Sequence, residues 1–443
     1  MTIIPKNLTK QTKIYLYIFL FTILSGALRK WVFNNAIVGN AIFALQLVLL
    51  FAYLFFDKKG ASLVFKTSLL KFYFGYLIFC AANPLNATLF HGLFGIVLHF
   101  GFWFMSFYYL ENREKFDFTQ IIPIIIIICF AQLILATVQY GLPADNILNR
   151  YSDKTYTDIA KVGDSVRVTG SFSFIAGFTS YLLFHAYFVW ALFKIKYDSR
   201  VTIALLLFGL VGAFMSGSRG GGYAYFLIAG FILVFVARGG VFKTLFTGFV
   251  IPVILFLTIS LITGTTQFET KIIKAYDNYI GRATELREQG EEKGRITGEY
   301  GNLLSFRGDN PITGVGLGST YQGANLLLGT SDAVTSYGFI ESENEKVVLE
   351  GGFILFFFKI LLIVAFCRRL AVDTLSKLLI GILLYLSPPL YNVFNTMFAF
   401  FGIAIIDNYY YREKLNKLII FQNTGQEPND KVLTDDNANV AYS

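Results

Sequence analysis

Residues 118–140 read FTQIIPIIIIICFAQLILATVQY, a long apolar run without a charged side chain. A helix needs about 20 mostly apolar residues to cross the hydrocarbon core of a bilayer. The run therefore predicts a transmembrane helix. Working outward from it, similar runs predict about twelve spans, at residues 14–28, 36–56, 63–82, 88–110, 118–140, 172–193, 201–216, 220–237, 242–263, 346–366, 375–390 and 391–407.

The composition supports the same class of protein. Of 443 residues, 55% are hydrophobic and only 15% are charged, whereas soluble domains carry about 25% charged residues. The net charge of +8 comes mostly from short loops, so we expect a lipid bilayer and no nucleic acid as partner. The cysteines Cys80, Cys129 and Cys367 have no paired spacing. They predict buried thiols and neither a disulfide framework nor a metal site.

The positive charges predict the orientation of the spans. Short cytoplasmic loops of membrane proteins carry an excess of Lys and Arg. With the N-terminus inside, every second loop and the C-terminal segment are basic, through Lys58, Lys59, Lys66, Arg113, Lys115, Lys194, Lys196, Arg200, Arg238, Lys243, Arg368, Arg369, Lys377, Arg412, Lys414 and Lys417. We therefore expect both termini in the cytoplasm. The first run is followed by another span and not by a cleavage site, so we expect it to remain as a span.

The predicted fold is all-α, a polytopic helical bundle. Residues 1–407 form one membrane domain, with a large helical extracytoplasmic loop, residues 264–345, between the ninth and tenth spans. Within this loop, helical spacing of apolar residues predicts an amphipathic helix at 268–283, and a second short helix is expected at 295–306. Gly314, Gly316 and Gly318 predict a flexible or close-packed loop. Residues 408–443 form a cytoplasmic tail that is disordered from about residue 423.

Cations on the predicted outer side are the first candidates for chemistry. They are Arg219, in the glycine-rich turn at residues 216–222, Arg295 and Arg307 in the large loop, Arg167 before the sixth span, and Arg29 with Lys30 after the first. Arginine binds phosphate oxygens in a bidentate way, so convergence of these residues would hold a diphosphate and stabilise it as a leaving group. The alternatives are snorkelling of Arg29 and Lys30 to the headgroups and pairing of Arg295 with Glu299.

Carboxylates and histidines are the other titratable groups in or beside the spans. Glu341 and Glu343 precede the tenth span and are candidate general bases; alternatively, they interact with the dipole of the entering helix. His91, His99 and His185 lie within spans and fit neutral hydrogen bonding between helices equally well, so we leave them outside the site.

Four motifs, taken in order, resemble the O-antigen ligase/polymerase superfamily of bacterial envelope glycosyltransferases. They are GALRKWVF (26–33), SGSRGG (216–221), GVGLGS (314–319) and ESENEKVVLEGGF (341–353). The resemblance implies transfer of a glycan from an undecaprenyl diphosphate carrier to an acceptor glycan hydroxyl at the outer face of the bacterial cytoplasmic (inner) membrane. It implies no metal and no other cofactor. Arg219 and either Arg295 or Arg307 would hold the diphosphate.

The superfamily includes polysaccharide polymerases and O-antigen ligases, and a ligase would act on a lipid A-core acceptor. One part of the sequence helps to distinguish these two activities. Ligases commonly have a His-Asn pair ahead of the E-x-G at 350–352, where this chain has Glu341 and Ser342. This departure favours a polysaccharide polymerase, for which a chain-length regulator or a flippase would be protein partners. Two other classes remain open. A polysaccharide flippase or secondary transporter would show repeated halves, broken helices and mid-membrane charges, and a structural membrane component would tolerate loss of all the outer arginines.

Overall fold

In the computed structural model, the described residues are 8–33, 35–152, 159–162, 165–236, 310–338, 340, 342–386 and 389–424. They form a helical bundle that also contains a short antiparallel pair, β1 (Lys161–Val162) with β2 (Ser165–Val166). The helices are α1 (Lys10–Ala27), α2 (Ala36–Leu49), α3 (Ala52–Phe56), α4 (Lys58–Val64), α5 (Ser68–Ala81), α6 (Leu89–Asn112), α7 (Ile122–Gly141), α8 (Ile175–Lys194), α9 (Ser199–Ser216), α10 (Arg219–Phe231), α11 (Gln322–Leu328), α12 (Asp332–Tyr337), α13 (Glu343–Arg369), α14 (Thr374–Leu386) and α15 (Val393–Thr424).

Among the described residues, six helical segments are long and apolar enough to cross a membrane: Lys10–Val32, Leu89–Lys115, Thr119–Gly141, Ile175–Lys194, Ser199–Ser216 and Glu343–Arg369. A bent pair, α4 with α5, would make a seventh, and three shorter apolar helices accompany them. The architecture is therefore that of an α-helical membrane protein. The number twelve stays a prediction, and the predicted span 242–263 and loop helices 268–283 and 295–306 lie outside the described residues.

Two of the predicted spans in the first hundred residues are divided between helices. Span 36–56 divides at Leu50 and Phe51 into α2 and α3. Span 63–82 corresponds to α5, which follows α4 after a bend of 87°. The last helix, α15, continues to Thr424, so residues 408–424 of the predicted tail extend the final span as a helix. Residues 425–443 lie outside the described part of the chain.

The core lies where α15 packs against α8. Phe398 of α15 contacts Phe184 and Tyr181 of α8, with ring centroids 6.1 and 5.8 Å apart. Gly402 allows the closest approach, because a Cβ there would lie 2.5 Å from Cδ2 of Tyr187. Aromatic rings in such tilted and edge-to-face arrangements contribute more than their buried area alone. The high phenylalanine content of the sequence is thus used for packing.

Polar contacts divide the loops into two groups. At one end, here called the basic end, Arg369 Nη2 donates to Glu111 Oε1 over 2.9 Å and Arg113 Nη2 donates to the Arg369 carbonyl over 3.0 Å. Arg412 donates to the carbonyl of Phe116 over 2.5 Å. All these residues belong to segments that the charge pattern assigns to the cytoplasmic side.

The opposite end, here called the loop end, brings together the segments predicted to face outward. Trp31 Nε1 donates to the carbonyl of Ile147 over 3.0 Å, so the loop after α1 reaches the first long loop. Asn83 Nδ2 donates to the carbonyl of Gly314 over 3.0 Å, which joins the turn after α5 to the large loop. Two pairs of predicted outer segments therefore meet at the loop end, and the candidate site residues lie among them.

Candidate functional site

A break in α13 is the feature around which the loop end is built. Gly352 has φ 69° and ψ −174°, a backbone region that is essentially restricted to glycine. A Cβ at this position would also lie 2.0 Å from the carbonyl oxygen of Ile312. The helix is therefore divided into an arm, residues 343–351, and a long half, residues 353–369.

The arm folds back toward the long half. Lys359 Nζ lies 2.6 Å from Glu343 Oε1, although the two residues are sixteen positions apart. In a straight helix their Cα atoms would be about 24 Å apart, which is more than the two side chains can span. The predicted span 346–366 lies within the apolar segment Glu343–Arg369, and the glycine-only conformation at Gly352 adds a break that the hydropathy of the run does not indicate.

The glycine loop (residues 311–320) replaces the backbone hydrogen bonds lost at the break. Helix ends leave N–H and carbonyl groups without intrahelical partners, and here the loop supplies them. The bonds are Val315 N to the Leu349 carbonyl (2.8 Å), Gly316 N to the Glu350 carbonyl (3.0 Å) and Phe353 N to the Pro311 carbonyl (2.9 Å). Gly314, Gly316 and Gly318 all have positive φ, and a Cβ at each would lie within 2.6 Å of a neighbouring atom, so the loop is close-packed.

The Glu350 carboxylate is hydrogen-bonded to the glycine loop. It accepts hydrogen bonds from the N–H of Gly318 and the N–H and Oγ1 of Thr320, at 2.9, 2.9 and 2.6 Å. His99 Nε2 of α6 lies 3.4 Å from its Oε2, and both side chains are fully buried. A buried carboxylate is stable only with such partners. Glu350 therefore ties the loop, α6 and the arm together.

A second buried charge cluster lies at the start of the arm. Lys359 Nζ contacts Glu343 and also donates to Asn344 Oδ1 over 2.6 Å. The other oxygen of Glu343 accepts from the N–H of Leu390 over 2.6 Å. The Lys359 and Glu343 side chains are 1% and 2% exposed. The Glu343 carboxylate is therefore already engaged on both oxygens.

Lys346 links these clusters through aromatic rings. Its Nζ lies 3.9 Å from the ring centroid of Tyr391 and 5.0 Å from that of Tyr321. Tyr321 in turn lies beside His99, with its hydroxyl 3.4 Å from Nε2. Cation–π contacts of this kind are stronger when the cation is desolvated, and Lys346 is 2% exposed.

A cationic group from three other segments forms the second part of the loop end. Lys30 is 1% exposed, and its Nζ donates to Thr169 Oγ1 over 2.8 Å and to the carbonyl of Gly170 over 3.0 Å. Arg29, beside it, is also buried. Both residues are directed into the protein, which disfavours the alternative that they only reach the headgroups.

Arg167 connects this group to the SGSRGG turn. Its Nε donates to the carbonyl of Ser216 over 3.1 Å. Gly217 then turns the chain with φ 57°, and α10 begins at Arg219. The guanidinium of Arg167 thus lies at the turn that carries Arg219, next to a helix N-terminus, and such termini favour anions.

The predicted site residues are therefore distributed as follows. Arg29, Lys30, Arg167 and the backbone of Arg219 lie at the loop end. Glu343 lies there too, in an ion pair. The remaining candidates lie outside the described residues: Arg295, Arg307 and Glu341.

The site also contains residues that the sequence argument did not select. They are His99, Glu350, Lys346 and Lys359. For Lys359 a signal was present, because it is the one charge in the apolar run FILFFFKILLIVAF at 353–366, and an ionisable residue inside a span is a functional candidate. For Glu350, only the tertiary contact with the glycine loop reveals its role. Among the described residues, no group of three His, Cys, Asp or Glu side chains is placed to hold a metal ion.

The chain matches no protein-family model, no curated protein and no solved structure. Its function must therefore be argued from its own residues.

Proposed function

We propose that the protein is a membrane glycosyltransferase of the polysaccharide-polymerase type. It would transfer glycan from an undecaprenyl diphosphate carrier to an acceptor sugar hydroxyl at the outer face of the bacterial cytoplasmic membrane. Two observations support this: the order of the four motifs, and above all the bond from Arg167 to the SGSRGG turn. That bond places Arg167 at the turn that carries Arg219, the other described position proposed to bind the diphosphate.

In the proposed reaction, the acceptor oxygen forms a bond to the anomeric carbon while the bond from that carbon to the lipid diphosphate breaks. Arg167, Arg219 and the start of α10 would neutralise the charge that develops on the leaving diphosphate. The acceptor proton would pass to Glu341 or Glu343. In the present arrangement, Glu343 can accept it only after its ion pair with Lys359 opens.

The orientation that this reaction needs follows from the charge bias of the loops. The basic end would face the cytoplasm with both termini, and the loop end would face outward. A chain-length regulator or a flippase would then reach the protein from its outer or lateral surfaces.

The test is arginine replacement in the native host. Arg219→Ala and Arg167→Ala should each lower polymer formation by about 100-fold or more, the usual loss when a transition-state charge partner is removed. Arg219→Lys should recover little, because lysine cannot bind in a bidentate way. Arg200→Ala, an exposed cation of the basic end, is the matched control. Unchanged polymer amount and chain length at normal protein level would contradict the proposal, and loss of attachment to lipid A-core at normal chain length would identify a ligase.

The broken α13 favours a second candidate, a transporter of lipid-linked sugars. Secondary transporters form their sites from discontinuous helices with buried ionisable groups, and the arm with its Glu343–Lys359 pair has both features. Vesicles that contain the purified protein distinguish the candidates. Movement of a labelled lipid-linked oligosaccharide across the bilayer without glycan extension would support transport, and extension without movement would support the transferase.

A further inference from the structure

A groove runs between α13 and α14 on the side of the bundle near the basic end. Its volume is about 570 Å³, and ten described residues line it. They come from one face of each helix, at positions 363, 364, 367 and 368 of α13 and 377, 378, 381, 382, 385 and 386 of α14. Residues three and four positions apart on a helix lie on the same face. The groove is therefore a continuous surface of two helices.

Most of this surface is apolar and open to the surroundings of the bundle. Leu378 is 60% exposed, Leu386 55% and Val364 42%. Gly381 lines the groove opposite Cys367, and a Cβ at this position would meet only the Cys367 Sγ, at 3.6 Å. Because Gly381 has no side chain, there is room for an acyl chain to lie between the two helices.

The charges of the groove are all positive and lie at one end. Arg368 and Lys377 are the charged side chains among the ten described lining residues. Both are next to the short connection between the helices, and Lys377 Nζ donates to the carbonyl of Arg368 over 3.0 Å. An ammonium group has three N–H donors, so this bond positions the cation and leaves donors for an anion. The nearby Asp373 accepts from the N–H and hydroxyl of Ser376.

The length of the groove matches one leaflet of a membrane. Nine residues of helix separate Lys377 from Leu386, which corresponds to about 14 Å. Half of the hydrocarbon core is about 15 Å thick. A phospholipid with its phosphate at Arg368 and Lys377 would thus lay one acyl chain along the groove.

We propose that this groove is a binding site for an anionic phospholipid of the leaflet at the basic end. The charge, the apolar length and the space at Gly381 each fit one part of such a lipid. Basic pockets between transmembrane helices are known to select acidic headgroups. The site is separate from the loop end and does not depend on the proposed catalytic activity.

The experiment measures lipid bound to the purified full-length protein by native mass spectrometry. Phosphatidylglycerol and phosphatidylcholine with the same acyl chains are added in turn. The wild-type protein should retain phosphatidylglycerol in preference. In the double variant Arg368→Gln/Lys377→Gln, retention of phosphatidylglycerol should fall about 30-fold. Each cation near a membrane surface contributes about fivefold to the binding of an anionic lipid, and the two contributions multiply. Arg200→Gln, which removes a cation outside the groove, should leave it unchanged.

A second pair of variants tests the apolar part. Gly381→Leu should block retention of either lipid, because the new side chain fills the groove. Gly75→Leu is its control, since no atom lies within 4 Å of a Cβ at Gly75 in α5. Equal binding of the two lipids by the wild-type protein would overturn the proposal. The absence of any retained lipid would also overturn it, and would mean that a segment of this chain fills the groove. A dimer that Gly381→Leu dissociates would overturn it too, and would mean that a second copy of the chain fills the groove.

Discussion

Two ion pairs, one from each end of the bundle, differ in their access to solvent. At the basic end, the side chains of Arg369 and Glu111 are 35% and 25% exposed. At the loop end, those of Lys359 and Glu343 are 1% and 2% exposed, although the contact is of the same chemical kind. Water screens the first pair and is excluded from the second. The difference shows that proximity of opposite charges does not by itself measure their contribution to stability.

The two ends of the bundle also differ in the backbone conformation that positions these ion pairs. The basic end joins helix ends through short connections, whereas the loop end depends on a glycine-only turn inside α13. Residues 311–320 then supply the hydrogen bonds that the break removes. The loop end therefore depends on more specific interactions than the basic end. Substitutions there should lower the stability of the protein by more.

The largest effect is expected from Gly352→Ala. Alanine is disfavoured at φ 69° and ψ −174°, and its Cβ would overlap the Ile312 carbonyl. Together these should destabilise the protein by about 3 kcal/mol or more. The thermal unfolding midpoint in detergent measures this, with Gly75→Ala as control. A midpoint equal to that of the control would mean that the arm is not fixed by Gly352.

The buried pair is tested next, by a double-mutant cycle on Glu343 and Lys359. Glu343→Gln or Lys359→Met alone leaves one buried charge without its partner, which typically costs about 3–5 kcal/mol. The double variant should lose less than the sum, because no isolated charge remains. Additive losses in thermal unfolding would show that the two charges do not interact.

The smallest effect is expected from the matched cycle at the basic end. Glu111→Gln and Arg369→Gln remove a partly exposed pair, and such pairs contribute about 0.2–1 kcal/mol. Added salt should weaken this small coupling further, while the coupling at Glu343–Lys359 should change little. A coupling at the basic end as large as that of the buried pair would remove the distinction between the two ends.

Much of the fold could be predicted from the sequence, since the run at 118–140 or 88–110 specifies a helix wherever a bilayer is the solvent. The sequence also predicts two groups of loops, because lysine and arginine are enriched in the loops on the cytoplasmic side, and several of these basic residues contact one another at one end of the bundle. Part of the candidate site followed from composition too. Arg167 and Arg219 stood out as cations beside glycine-rich or apolar segments, and the structure brings Arg167 to the turn that carries Arg219.

Other features required the tertiary structure. The run from Lys346 to Phe366 has the hydropathy of a simple span, and the sequence predicted one. Hydropathy does not indicate the positive φ of Gly352. It also does not indicate that the Ile312 carbonyl lies so close that a Cβ added at Gly352 would be 2.0 Å from it. The same holds for Glu350, whose partners Thr320 and His99 lie far away in sequence.

The sequence by itself determined the class of solvent and the positions of most of the described helices, because these depend on local apolar content, and its charge pattern predicts the side on which each loop lies. Only the tertiary structure decided that α13 is broken, that Glu343 meets Lys359, and that the glycine loop is fastened to Glu350. The physical reason is that a buried charge or an open helix end must be satisfied by some partner, but local sequence does not say which one.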